Sequence, residues 1–300
     1  MHILITGGSG LIGSNLIPSL KPSSITVLTR NVSTAEPVLG RGVKFISSLA
    51  GLSNLDEFDV VLNLAGEAIV DKSWSTKQKH ILQHSRWALT AKLAELIQNG
   101  DSPPACFISG SAIGYYGRQS DNMIDESFDN IEKSHDDFSH QLCKQWEHLA
   151  LQAASPKTRV CLLRTGIVLT KRGGALPKML LPFKLGLGGP IGDGKQYMSW
   201  IHLEDMLRGI IHLIDNTDCQ GVYNFTAPVP VTNKALSMEL ASALHRPCFI
   251  RTPAFVLRML LGERADLILF GQRVIPKRLM ESGFEFTYPQ IKQALASLKL

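Results

Sequence analysis

Long apolar runs, paired cysteines and clustered positive charge are all missing from this 300-residue chain. No window offers the ~18 uninterrupted apolar residues that a membrane span needs. The nearest, PAFVLRMLLGERADLILFG from Pro253, is cut by Arg258, Glu263, Arg264 and Asp266. The opening MHILITGG lacks the basic stretch, apolar segment and cleavage site of a secretory signal, so a soluble cytoplasmic protein is expected. The five cysteines (Cys106, Cys143, Cys161, Cys219, Cys248) are odd in number and never form a Cys-x-x-Cys pair. Reduced thiols and no zinc site follow. His80 and His84 stand one helical turn apart, but without a nearby acid or cysteine they read as solvated helix residues, and no metal is expected. The net charge of +5 is spread out and aromatic content is only 7%, so no basic, aromatic-studded stripe points to nucleic acid. Anionic small molecules remain open as ligands.

What is present is a chain with 44% hydrophobic residues and a mean hydropathy near zero, enough for a full-sized core. Apolar runs read as strands at HILITGG (from His2), ITVLTR (from Ile25), VKFI (from Val43), DVVLNLAG (from Asp59) and ACFISGS (from Ala105). RVCLLRTGIVL (from Arg159) adds a sixth and GVYNFTA (from Gly221) a seventh. Helical patterns fall between them, at Gly10 to Leu20, Thr76 to Asn99 and Asp136 to Ala154. Strands without alternation, joined by helix-length connections, indicate a parallel sheet covered on both faces. After Leu169 the chain becomes rich in Gly, Pro and Lys, and from Pro228 it is mainly helical. The expectation is an α/β protein: a Rossmann-type doubly wound parallel sheet from residues 1–168 and 199–227, with a smaller substrate lobe from 169–198 and 228–300.

Gly7, Gly10 and Gly13 follow the first strand directly and run into the first helix. Such glycines allow a tight turn, close approach of backbone to a pyrophosphate, and close helix–strand packing, with the phosphates at the helix N-terminus. The second strand ends Thr29-Arg30-Asn31, where an NAD site usually carries an acid, and the next acid is Glu36. A guanidinium there suits a 2′-phosphate, so NADP(H) is the expected cofactor.

Four segments together resemble the short-chain dehydrogenase/reductase family in its extended, sugar-nucleotide-epimerase-like form. TGGSGLIG (Thr6–Gly13) resembles the cofactor loop, and NLAG (Asn63–Gly66) the segment lining the adenosine side. SGSAIGYYG (Ser109–Gly117) resembles the stretch with the active-site Ser and a following Tyr-Gly, and LLRTGIVL (Leu162–Leu169) the strand passing the nicotinamide. SWIHLEDM (Ser199–Met206) and GQRVIPKRLMESGFEF (Gly271–Phe286) resemble later segments, the second being a signature of the YfcH-like "epimerase family" branch. The resemblance implies cofactor contacts from Gly7, Gly10, Leu11, Ile12, Gly13, Arg30, Leu64, Ala65, Gly66, Ser109, Arg164, Thr165 and Gly166. It implies a catalytic Ser111 and substrate-side places for Tyr115, His202 and Arg273. Extended members often pair through helices at the domain's side, so a homodimer is an open expectation.

In that family a Tyr acts on the substrate proton and a Lys four residues on tunes it, since such a pair shares one helix face. Taking Glu147 as the family's following Glu puts Ser139 and Cys143 in those places, and no Tyr occurs between Gly117 and Met198. A Ser hydroxyl is too weak an acid, and a Cys carries no cation. Tyr116 is the first candidate for a substitute proton donor, with Lys144, His135 and His140 nearby in sequence. Between Leu169 and His202, Lys171, Arg172, Lys178, Lys184 and Lys195 face a single acid, Asp193, a bias that suits an anionic substrate. Two expectations stand: an NADP(H)-dependent oxidoreductase or epimerase-like enzyme of atypical kind, or an NADPH-binding sensor that has lost catalysis. An NAD-using epimerase of ordinary mechanism fits Arg30 and the absent Tyr least.

Overall fold

A computed structural model describes residues 1–20, 24–40, 42–119, 121–129 and 137–300; His135 lies outside them. The strands β1 (His2–Thr6), β2 (Ser24–Leu28), β3 (Lys44–Ile46), β4 (Val60–Asn63), β5 (Cys106–Ala112), β6 (Arg159–Thr165) and β7 (Gly221–Phe225) form one seven-stranded sheet. Their order is β7-β6-β5-β4-β1-β2-β3, and every pair is parallel. The helices that matter below are α1 (Leu11–Leu16), α2 (Val32–Leu39), α3 (Thr76–Gln98), α4 (Phe138–Leu151), α5 (Ala175–Lys184), α6 (Leu203–Asp215), α7 (Asn233–Ala243) and α8 (Ala254–Leu261).

Side chains alternate across the sheet, and each face buries its own cluster. Ile3 and Ile5 of β1, with Leu62 and Ile108, pack against Leu16 and against Ile210 and Leu213 of α6. Leu4, Val61, Phe107 and Leu162 point the other way, onto Leu93, Leu96 and Ile97 of α3 and Ala150 of α4. This two-sided burial explains why the strands read as unbroken apolar runs. β1 sits between β4 and β2, so the chain reverses its direction across the sheet there and leaves a crevice above the strand ends.

A third cluster unites Leu176, Leu180 and Phe183 of α5, Leu236 and Leu240 of α7, Trp200, and Leu295 near the end of the chain. Leu279 and Phe284, from the last quarter of the sequence, instead join the sheet cluster that includes α6. Polar bridges tie the segment after β4 to the later chain: Lys178 pairs with Asp71, Lys79 with Glu263, and Arg264 donates to the Val70 carbonyl at 2.9 Å. Among the described residues no helix is long and apolar enough to cross a membrane.

Candidate functional site

The turn after β1 is built by contact. Gly7 has φ +70°, and a Cβ there would lie 2.7 Å from the backbone of Leu64 and Ala65, so only glycine lets the two loops meet. A Cβ on Gly13 would lie 2.6 Å from the Gly7 carbonyl oxygen. Thr6 locks the arrangement: its hydroxyl donates to Asn63 Oδ1 at 2.8 Å and accepts the Ala65 N–H at 3.3 Å. No side chain caps α1, so its first N–H groups are not taken up by a capping side chain. A cavity of about 420 Å³ opens beside this turn, lined by Ser9, Gly10, Ser14, Asn15, Val38 and Arg172. Arg172 hydrogen-bonds to Asn15 and so brings a cation from the loop before α5 to α1. Arg30 is exposed beyond β2. Its charge reaches Glu67 after β4; Glu67's carboxyl is held below its usual range first by its bond to Lys72, then by Arg30 and Arg86.

The register of β5 and β6 sets Ser111 beside Arg164, on the sheet face that α4 covers. Ser111 Oγ donates to Glu147 Oε1 at 2.6 Å, and Arg164 donates to Glu147 Oε1 (2.8 Å) and Oε2 (2.7 Å). All three residues are buried. Burial works against the Arg164 charge, but the Glu147 carboxylate more than offsets this and leaves the guanidinium pKa raised. The ring centroid of Tyr115 lies 3.4 Å from Arg164 Cζ.

Tyr116 is fully buried, its hydroxyl donates to Asn224 Oδ1 at 2.8 Å, and burial pushes its pKa up to about 12. Ser109 is fully buried too, and its hydroxyl accepts from Asn63 Nδ2 at 3.1 Å, which ties the ends of β4 and β5 together. Arg164 is committed to Glu147. Gly166 is a crossing point, where a Cβ would lie 2.5 Å from the Ser199 carbonyl oxygen. Thr165 donates to the Leu163 carbonyl at 3.2 Å. His202 caps α6, accepting the Glu204 N–H at Nδ1 (3.1 Å), stacks on Tyr288 and is held neutral-leaning by burial, which lowers its pKa. Arg273 stands over the Tyr197 ring at 5.1 Å, half-buried.

The Tyr and Lys places are filled by packing. Ser139 and Cys143 face the short 3-10 helix Ile113–Tyr116: a Cβ on Gly114 would lie 3.1 Å from Ser139 Cβ and 3.7 Å from Cys143 Sγ. Burial, then the nearby Glu147, push the Cys143 thiol up to about 12, so it is a neutral spacer. His140 is buried with Nδ1 against the Tyr115 carbonyl, and Lys144 is exposed.

Residue-by-residue reading missed Glu147's second role as a partner of Ser111 and Arg164. It also missed the polar network of Asn63, Thr90 and Trp146, in which Asn63 Nδ2 and Trp146 Nε1 both donate to the Thr90 hydroxyl. The third omission is Arg86. Its signal was available: Leu82, Arg86, Thr90 and Leu93 share one face of α3, so a charge sits in a buried stripe.

The sheet order, the glycine turn and the crevice define an extended short-chain dehydrogenase/reductase fold. Residues 3–225 match the NAD dependent epimerase/dehydratase family, and the chain belongs to it. Residues 252–298 match a domain of unknown function, DUF1731. Its relatives include epimerase family protein SSP1921 of Staphylococcus saprophyticus, 37% identical over 299 residues that cover 99% of both chains. The chloroplastic epimerase family protein SDR39U1 homolog of Arabidopsis thaliana is 37% identical over 306 residues, covering 99% of this chain and 86% of the relative. Among solved structures, human epimerase family protein SDR39U1 with NADPH superposes with a TM-score of 0.90 at 33% identity, covering 100% of this chain and 99% of that one. UDP-glucuronic acid 4-epimerase from Bacillus cereus, at 17% identity and a TM-score of 0.76 over 100% and 98% of the two chains, shares the fold.

Proposed function

We propose that the chain binds NADP(H) and acts as an oxidoreductase or epimerase-like enzyme of the atypical type on an anionic carbonyl or nucleotide-sugar substrate. The residues present fit that cofactor. Gly7 and Gly13 leave the turn open at places where any Cβ would strike backbone, and Arg30 offers an exposed cation at the end of β2, where the chain carries no acid before Glu36. A solved relative, human SDR39U1, carries NADPH. When bound, the nicotinamide supplies or takes the hydride; the protein's part is to seat it and to manage the proton.

The observation that carries the reading is the Ser111–Glu147–Arg164 triad at the end of β5. With its hydrogen on Glu147, Ser111 presents lone pairs to a substrate hydroxyl in the oxidising direction; in the reducing direction the Ser111 hydrogen turns to the carbonyl oxygen, and water supplies the proton that balances the hydride. Glu147, fixed by the Arg164 fork, holds that direction. Arg172 and the lysines of residues 169–198 favour an anion. The substrate lies between the sheet edge and the lobe of residues 169–198 and 228–300.

The test is to follow NADPH absorbance with purified protein against panels of carbonyl compounds and nucleotide sugars. Turnover of at least one is expected, with Ser111→Ala lowering kcat about 100-fold or more while NADPH affinity stays. Failure with every compound favours a second reading, an NADPH-binding sensor without catalysis. The packed Ser139/Cys143 pair and the buried Tyr116 support that alternative.

A further inference from the structure

α8 is an apolar helix without a buried face. Its sequence AFVLRMLL holds six large apolar side chains, yet no residue of the helix is buried. Phe255 and Met259, one turn apart, and Phe249 just before the helix are each at least 70% exposed, and Leu260 is exposed too. α5 shows the same feature on one side. It buries Leu176, Leu180 and Phe183, while Leu181, and Leu185 and Leu187 just beyond it, are exposed. Two links bring these elements together. Residues 189–192 run beside 250–252, where the Thr252 N–H donates to the Pro190 carbonyl and the Gly192 N–H to the Thr252 carbonyl, both at 2.9 Å. At the far ends, Lys178 of α5 pairs with Asp71, and Arg264, just after α8, donates to the neighbouring Val70 carbonyl. The exposed apolar side chains therefore share one region of the lobe.

The charge falls in the same region. Residues 175–192 and 240–262 carry Lys178, Lys184, Arg246, Arg251 and Arg258, and no Asp or Glu. All five cations are exposed. The chain has 31 Lys and Arg against 26 Asp and Glu, so these five equal its entire excess of positive charge and the remainder is balanced. Exposed Phe, Met and Leu among cations suit the boundary of an anionic bilayer, where apolar groups enter the acyl region and cations meet phosphate headgroups. A second copy of the chain fits poorly. A twofold interface lays the same patch on itself, and here that sets cations against cations with no acid in either stretch.

We infer that the α5–α8 face is a peripheral membrane-binding surface for anionic phospholipid, on which the protein lies without spanning the bilayer. The inference is independent of the dinucleotide reading of the crevice, since none of these side chains belongs to the glycine turn or to the Ser111–Glu147–Arg164 triad.

The experiment is flotation of the full chain with vesicles of phosphatidylcholine alone, or of phosphatidylcholine and phosphatidylglycerol in equal parts, with melting curves and light scattering on each variant. Wild type is expected to bind the mixed vesicles and to bind pure phosphatidylcholine about tenfold more weakly or worse, the difference shrinking as salt is raised. Phe255→Ser combined with Met259→Ser is expected to weaken binding to mixed vesicles about tenfold or more, because two apolar anchors are lost. Lys184→Gln combined with Arg246→Gln keeps the apolar face and is expected to weaken binding about tenfold or more through lost headgroup attraction. No binding to mixed vesicles overturns the inference, and so does equal binding to the two compositions or wild-type binding by either folded double variant. If the serine pair does not fold, the glutamine pair decides: unchanged binding overturns it. A wild type that is dimeric, becomes monomeric in the serine pair and ignores vesicles assigns the face to a second copy and overturns it as well.

Discussion

Tyr116 shows how a residue with the right chemistry can be withdrawn from it. The sequence places it beside Ser111, but the turn Ile113–Tyr116 rotates the ring inward onto Ile124 and Val274 and ends its hydroxyl on Asn224. Tyr116→Phe is expected to cost about 1–3 kcal/mol of stability, since the buried hydroxyl bonds to Asn224 and to the Arg164 guanidinium, and to leave cofactor affinity and turnover unchanged. Denaturant unfolding and titration would check this together; a loss of turnover without a loss of stability would return Tyr116 to the chemistry. The thiol of Cys143 and the phenol of Tyr116 also set a pH dependence. Both have pKa values raised in the folded state to about 12, from ordinary values of 9.0 and 10.0. Above pH 9 the unfolded chain loses these protons first, so the folded state binds more of them and stability falls as pH rises toward 12. Urea midpoints taken from pH 8 upward should decline across this window, and less so in Cys143→Ala; a flat profile contradicts the burial argument.

At the scale of elements, the triad joins β5, β6 and α4. Residues 111, 147 and 164 are far apart in the chain and meet because Ser111 and Arg164 are register partners beneath the helix that carries Glu147. Glu147→Ala leaves a buried guanidinium without its counter-charge and is expected to cost about 3–5 kcal/mol. Pairing it with Arg164→Met should recover much of that loss, which a double-mutant cycle measures. A cost below about 1 kcal/mol for the single variant would show the ion pair to be idle. The vacancy of the Tyr and Lys places was legible, since one helix face can be read from spacing alone. What fills it was not, because the close approach of the Ile113–Tyr116 turn to Ser139 and Cys143 depends on how two elements cross. The helix start was nearly legible: Asp136 was expected to open it, and the cap is Asp137, whose carboxylate accepts from the Ser139 and His140 N–H groups.

On the scale of the whole molecule, the seven strands and their parallel pairing followed from apolar runs separated by helix-length connections, because burial on both faces removes alternation. The glycine turn was legible because its sterics are local. Arg172 and the bridges from Asp71 and Val70 to the later chain were not, since each depends on a contact across more than eighty residues. Tertiary placement also gives Ser109, Arg164 and His202 protein partners in Asn63, Glu147 and the Glu204 N–H, contacts that spacing alone does not reveal. The direct measurement of the central claim is a pair of calorimetric titrations, NADPH against NADH, on wild type and on Arg30→Ala. The account predicts that wild type prefers NADPH by about tenfold or more and that the preference disappears in the variant. NADH binding as tightly as NADPH to wild type, or a preference that survives loss of the guanidinium, would contradict it.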